Sequence, residues 1–383
     1  MMDAARRNFA SDNVEGSSTE IMAALEAANA GQASPYGADE LTARVERRLA
    51  DLFERDCAVL LVASGTAANA LGLAALTPPW GAVLCHRDAH ILNDECGAPE
   101  FYTGGAKLIP LGGAWSKLEA DELGREAARG RGDVHVQQNA SVSVTQATEG
   151  GTVYSTGELA ALGEVCREQA LRLHMDGARF ANALVALGCT PAEMTWKAGV
   201  DVLSFGATKN GAPGVEAIVS FDTTLAQELH LRRKRAGHLA SKMRYLAAQM
   251  DAYLADDLWL RNARHANAMA ARLRTGLASV PGVNADGPFE ANMLFVRLPA
   301  AMSQGLLEQG YAFYPDRRDP AAVRLVTSFA TPIGAVDGFI AAARRLSAPL
   351  TSWDTNANHS HLLSGSLTGV SHDPPPRSGQ AQR

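Results

Sequence analysis

The chain has 383 residues, 46% of them hydrophobic and 20% charged, with a net charge of −6. That length predicts two or three domains with ample chain for a core, and the acidic balance excludes a global attraction to nucleic acid. No apolar run reaches the roughly 18 residues of a membrane-crossing helix, and the opening Met-Met-Asp-Ala-Ala-Arg-Arg lacks the apolar centre of a signal peptide, so the chain reads as cytoplasmic.

Residues 1–16 read as an N-terminal arm. The stretch 17–30 predicts a helix, with Ser17 and Glu20 at capping-box spacing, Ile21, Met22 and Leu25 on one face, and Gly31 as its stop. From Cys57 onward, short apolar runs at 58–63, 82–85, 107–111, 141–145, 171–175, 200–205 and 216–221 alternate with helix-like segments such as 117–129 and 156–170. Strands alternating with helices predict an α/β large domain over 17–255, a mainly parallel sheet covered on both faces. Ligands of such sheets gather at the carboxyl ends of the strands. After Phe221 two long helical segments, 223–254 and 257–279, lead into strands at 293–298 and 323–327 and helices at 302–309 and 334–346. These predict a smaller α+β C-terminal domain over 256–350. Ser, Asn, His and Gly with the run Pro374-Pro375-Pro376 make 351–383 read as a disordered tail, and there are no internal repeats.

Two segments carry the chemistry: His174-Met175-Asp176-Gly177-Ala178-Arg179-Phe180 and Ser204-Phe205-Gly206-Ala207-Thr208-Lys209-Asn210-Gly211. Pyridoxal phosphate needs a carboxylate against its ring nitrogen and a lysine to hold it as a Schiff base. Asp176, at the end of an apolar run, and Lys209, ringed by small residues, fit those two tasks; the less favoured reading of Asp176 alone is a cap for the following helix. Ser64-Gly65-Thr66-Ala67-Ala68-Asn69 follows a strand and opens a helix, where small residues, free N–H groups and the helix dipole suit a phosphate, although any strand-to-helix turn favours such residues. Five cysteines, at 57, 85, 96, 166 and 189, are odd in number and scattered, which points to reduced thiols. Cys85, His86, Asp88, His90 and Cys96 lack CxxC or HExxH spacing, so no metal is expected. The basic run Arg232-Arg233-Lys234-Arg235 has no interleaved aromatics and reads as a solvated helix face rather than a nucleic-acid surface.

Ser11-Asp12-Asn13, Tyr36-Gly37-Ala38-Asp39, the segment 64–69, His90, Asp133-Val134-His135, the segment 174–179, the lysine segment and Val323-Arg324-Leu325-Val326-Thr327 together resemble the threonine aldolase family over about residues 8–347. Within it the resemblance is nearest to the bacterial low-specificity L-threonine aldolases and to L-phenylserine aldolase. It implies the aspartate-aminotransferase type of fold, pyridoxal 5'-phosphate as cofactor, an amino-acid substrate, and a homo-oligomer, dimer or tetramer, with shared active sites. It assigns Lys209 to the Schiff base, Asp176 to the ring nitrogen, and Gly65 and Thr66, with Ser64, to the phosphate. His90 matches the histidine stacked on the ring. Arg179, Arg324 and Ser11 match residues around the substrate carboxylate and the cofactor's phenolic oxygen. His135 matches the histidine near the β-hydroxyl, as base or only as a positioning group. Tyr36, Lys234 and Arg244 match residues that reach a neighbouring subunit's site. Many family members carry an aromatic residue four positions after the stacking histidine; here that position is Asp94, facing the β-substituent or simply a loop acid. The implied activity is retro-aldol cleavage of L-β-hydroxy-α-amino acids. The alternatives are another reaction of the same cofactor, such as β-elimination or transamination, or a non-catalytic cofactor-binding protein.

Overall fold

The structure, a computed structural model, describes residues 7–347; the stretch 351–383 lies outside the described residues. Each of the seven apolar runs holds a strand of one sheet: β1 (Ala58–Val62), β2 (Gly81–His86), β3 (Lys107–Leu111), β4 (Gln138–Thr145), β5 (Arg172–Gly177), β6 (Val202–Gly206) and β7 (Glu216–Ser220). Their order is β1-β7-β6-β5-β4-β2-β3. Strands β3, β2, β4, β5 and β6 are parallel, and β7 lies antiparallel to both β6 and β1. Strands β2, β6 and β7 are buried at every residue, as unbroken apolar runs require when helices cover both faces.

In chain order the helices are α1 (Thr19–Ala28), α2 (Glu40–Leu52), α3 (Gly65–Leu76), α4 (His90–Asn93), α5 (Ala98–Thr103), α6 (Ala120–Ala127), α7 (Thr156–Glu168), α8 (Phe180–Leu187), α9 (Ala226–Arg235), α10 (Arg244–Leu254), α11 (Leu258–Ala278), α12 (Ala300–Glu308) and α13 (Ile333–Ser347). Three expectations need correction. The capping box expected at Ser17 and Glu20 is not made: α1 starts at Thr19, the cap position is Ser18, and its Oγ instead accepts the Asn262 amide at 3.0 Å. A full capping box forms at α7, between Ser155 and Glu158. The single helix expected over 223–254 divides into α9 and α10, with Gly237 at φ +80 between them, a conformation that ends helices. Helix α2, not anticipated, is capped by Asp39, whose Oδ1 accepts the Thr42 N–H at 2.9 Å.

Behind the sheet, Phe53 is fully buried and meets the rings of Phe180, Phe205 and Phe221 at centroid separations of 6.0, 6.2 and 5.2 Å. This cluster fixes α2 and α8 against β6 and β7. A second, antiparallel sheet of order β8-β10-β9 is built from β8 (Met293–Arg297), β9 (Tyr314–Pro315) and β10 (Ala322–Val326), with a core of its own around Phe339. The segment read as an arm contributes Phe9 to that core: its ring lies 5.2 Å from Phe339, and its N–H and C=O bond Ala312 and Val326. Ser11 and Asp12 are thereby carried to the edge of the main sheet's carboxyl end. Among the described residues no helix is long and apolar enough to cross a membrane.

Candidate active site

Parallel strands place their carboxyl ends on one side, and the chain turns into a helix or loop there. Asp176 lies near the end of β5, between Thr145 of β4 and Ser204 of β6. It is almost fully buried; its Oδ1 accepts the Ala178 N–H and its Oδ2 the Asn69 amide, both at 2.9 Å. Lys209 follows β6 in a single 3-10 turn, Thr208–Asn210. Burial lowers its ammonium pKa and Arg179 adds to the effect, against the pull of Asp12, Asp176 and Glu216. A lysine so placed loses its proton more readily than a solvated one, as carbonyl chemistry requires. The turn is pinned by Glu216, whose Oε2 accepts the Ala207 N–H at 2.7 Å; burial pushes the Glu216 carboxyl up to about 7.

Ser64 caps α3 by accepting the Ala67 N–H at 3.2 Å. The N–H groups of Gly65 and Thr66 carry no hydrogen bond from the described residues, and a Cβ added at Gly65 would meet nothing within 4 Å. This is an open anion cradle at the start of a 12-residue helix. About one turn further along α3, Asn69 donates to Glu95 Oε1 at 2.8 Å as well as to Asp176. Glu95 Oε1 also meets His90 Nδ1 at 2.8 Å. That bond raises the His90 pKa, burial opposing it, while burial raises Glu95. Glu95 and Asp176 share one amide nitrogen, so the bonded oxygens lie within about 6 Å of each other. Two unit charges at that distance repel by about 3 kcal/mol at an effective dielectric near 20, which makes the cations His90 and Lys209 integral to the arrangement. Glu149 Oε1 accepts the His90 N–H and the Thr145 hydroxyl, both at 2.9 Å, while its Oε2 is buried without a partner; burial pushes this carboxyl up to about 7.

On the other side of Lys209, Arg179 grips Asp12 through two bonds, Nε to Oδ2 at 2.7 Å and Nη2 to Oδ1 at 3.0 Å. Burial raises the Asp12 carboxyl, but Arg179 and Lys209 outweigh it and hold it below its ordinary value. The Arg179 fork expected at the substrate carboxylate is thus taken by an acid of the same chain. Arg324, from β10, gives Nη2 to the Ala10 carbonyl at 2.9 Å, and its Nε is buried with no partner. Ser11 caps the turn Asp12–Val14. Arg324 and Ser11 therefore stand beside the Arg179–Asp12 pair.

The remaining expected residues do not join this group. His135 is exposed and precedes β4, which starts at Gln138. The level of Asp176 is Thr145, seven residues beyond Gln138 and about 23 Å along the strand, so His135 lies toward the amino end of the sheet, opposite the cluster. Tyr36 and Lys234 pair with each other, the ammonium 4.9 Å from the ring centroid, and Arg244 bonds the Gly31 carbonyl at 3.2 Å. Asp94 meets Arg317 at 2.7 Å in an exposed pair. Among the described residues no group of three or more His, Cys, Asp or Glu side chains could hold a metal ion.

The family model for beta-eliminating lyases matches residues 8–299, which contain every residue of the cluster except Arg324. The chain belongs to that family. It is 47% identical over 308 residues to the low specificity L-threonine aldolase of Pseudomonas sp. (strain NCIMB 10558), covering 80% of this chain and 89% of that one. This places it with the threonine aldolases. A threonine aldolase structure from Leishmania major, 29% identical, superposes with a TM-score of 0.83 over 89% of this chain and 99% of its own. An aspartate aminotransferase from Rhodobacter sphaeroides shares the fold alone, at 16% identity, with a TM-score of 0.65 over 89% and 92% of the two chains. Asn69, Glu95, Glu149, Asp12 and Glu216 are the members of this cluster that sequence reasoning did not identify. Asn69 and Asp12 lay inside motifs already singled out, and Asn69 sits four residues past Gly65, on the same helix face as the cradle.

Proposed function

We propose that this chain cleaves L-β-hydroxy-α-amino acids, L-threonine and L-phenylserine among them, to glycine and an aldehyde, with pyridoxal 5'-phosphate as its cofactor. The observation that carries the reading is the meeting of a desolvated lysine, a buried acid and an open helix N-terminus at the carboxyl end of one sheet, in a chain 47% identical to a low specificity L-threonine aldolase. The donor set fits the cofactor. Lys209 would hold it covalently, Asp176 and His90 would hold its ring, and Ser64, Gly65 and Thr66 would take its phosphate. Bound there, it supplies an electron sink for the pair released when the Cα–Cβ bond breaks.

The chain's own residues supply orientation and proton transfer. Arg324, with an unused buried Nε, and Ser11 bind the substrate carboxylate, which sets which bond at Cα is aligned for cleavage. Arg179 serves this site through Asp12, keeping positive charge beside Lys209 without offering its full fork to the substrate. Asp94, paired with Arg317 outside the cluster, would meet the β-substituent or remain a loop acid. His135 takes or positions the β-hydroxyl proton in a neighbouring copy of the chain, since within one protomer it lies at the far end of the sheet. Tyr36, Lys234 and Arg244 likewise serve a neighbour's site, in a dimer or tetramer working in the cytoplasm.

The family model's name favours one second reading, β-elimination, which would expel the β-substituent and, after hydrolysis, leave ammonia and the corresponding α-keto acid. Incubating the cofactor-loaded protein with L-threonine and with L-threo-phenylserine distinguishes the two. Equal amounts of glycine and acetaldehyde or benzaldehyde support the aldolase; α-keto acid and ammonia without glycine overturn it.

A further inference from the structure

Helix α4 is a single turn, and the chain then reverses at Cys96, φ +52, which folds Glu95 back beneath His90. Glu95 is wholly buried at its side chain, whereas His90 keeps about 40% of its side chain exposed. Asn69 decides the polarity of what lies between. Its Nδ2 is 2.8 Å from Glu95 and 2.9 Å from Asp176, and the reverse amide orientation would press Oδ1 against two carboxylates. Both of its hydrogens are thus spent on acids, and Glu95 Oε1 is left to accept from His90. Its second oxygen, Oε2, is buried and bonded to nothing, so a proton placed on Glu95 would gain no partner there. Three further groups act on His90: Glu149 through the His90 backbone N–H, Asp176 beyond Asn69, and Lys209 from the turn after β6.

We propose that Glu95, anchored by Asn69 to Asp176, is a positioning residue that keeps the proton on His90 Nδ1 and fixes the imidazole plane against the cofactor site. With Nδ1–H committed to Glu95, only Nε2 is presented outward, and one network ties the residue for the ring face to the acid for the ring nitrogen. The idea rests on the aldolase reading for its purpose but not for its test.

The test is 15N NMR of selectively histidine-labelled, cofactor-free protein, with the His90 signal identified by its loss in His90→Asn. In the wild type, Nδ1 should stay protonated across the neutral range, and the midpoint of the ring should lie above an ordinary histidine. In Glu95→Gln the midpoint should fall by about one pH unit or more, as expected when an adjacent carboxylate is removed, and both tautomers should appear above it. Glu95→Asp, one methylene shorter, should move in the same direction and serves if the glutamine variant does not fold. An unchanged midpoint and tautomer in either variant would overturn the proposal. Cleavage of L-threonine is measured beside it. Should the wild type release no glycine, the aldolase reading fails, while the histidine titration still decides where the proton sits.

Discussion

Replacing Glu149 with glutamine tests the electrostatics of the site in the folded protein itself. Burial pushes the Glu149 carboxyl from its ordinary 4.5 up to about 7. Each pH unit is worth about 1.4 kcal/mol, so the ionised form costs roughly 3 kcal/mol in place. The native state holds this proton more tightly than the unfolded chain does. Its contribution to stability is therefore fully present below about pH 4.5 and is lost as pH rises through about 7. Glutamine keeps an oxygen for the His90 N–H and the Thr145 hydroxyl, and sets its amide where Oε2 has no partner, much as a protonated glutamate would. Urea unfolding of cofactor-free protein at pH 5, 6, 7 and 8 should show the wild type losing roughly 2.5 kcal/mol relative to Glu149→Gln across that range. Glu216, also near 7, titrates in both proteins and cancels from the difference. Parallel pH dependences for the two proteins would refute the reasoning, because they would mean that the Glu149 carboxylate is hydrated or compensated in place.

If Asp176 holds the cofactor's ring nitrogen as proposed, Asp176→Asn would remove a charge-assisted bond, a contribution of about 1.5–3 kcal/mol, and should lower kcat/KM for L-threonine by about 10- to 150-fold. Asp12→Ala leaves the largely desolvated Arg179 without its acid, so the urea midpoint should fall by the equivalent of about 3–5 kcal/mol; a change under about 1 would mean the pair is well hydrated. If His135 serves a neighbouring copy, then Lys209→Ala and His135→Ala proteins, each impaired alone, should regain cleavage when unfolded together and reassembled, whereas failure to complement would place His135 and Lys209 in one protomer's site.

Much of the main sheet is legible in the sequence because seven short apolar runs alternate with helical stretches, and in a sheet covered on both faces nothing else produces that pattern. The antiparallel course of β7 is marked only by the linker 207–215, which is too short for a parallel crossover; the apolar run itself carries no direction. Helix α2 is legible although not anticipated: Leu41, Val45, Leu49 and Leu52 recur at helical spacing behind the Asp39 cap and pack on the core, while Arg and Glu fill the outer face. Asp176 and Lys209 stood out because the acid ends one apolar run and the lysine, ringed by small residues, follows the next. Glu95, Glu149 and Asp12 did not, since nothing local separates a buried acid from a solvated one; only the tertiary approach of Asn69, His90 and Arg179 does. His135 shows the converse. Its motif is plain in the sequence, yet the strand that follows it carries the chain away toward the site, leaving the imidazole at the wrong end of its own sheet.

The account's central claim is tested most directly by glycine release from L-threonine and L-threo-phenylserine, measured in parallel for the wild type and Lys209→Ala, both supplied with pyridoxal 5'-phosphate. Cleavage of both substrates by the wild type, abolished in the variant, is the predicted result. Glycine release that survives the loss of Lys209, or a wild type that binds the cofactor and releases none, would contradict it.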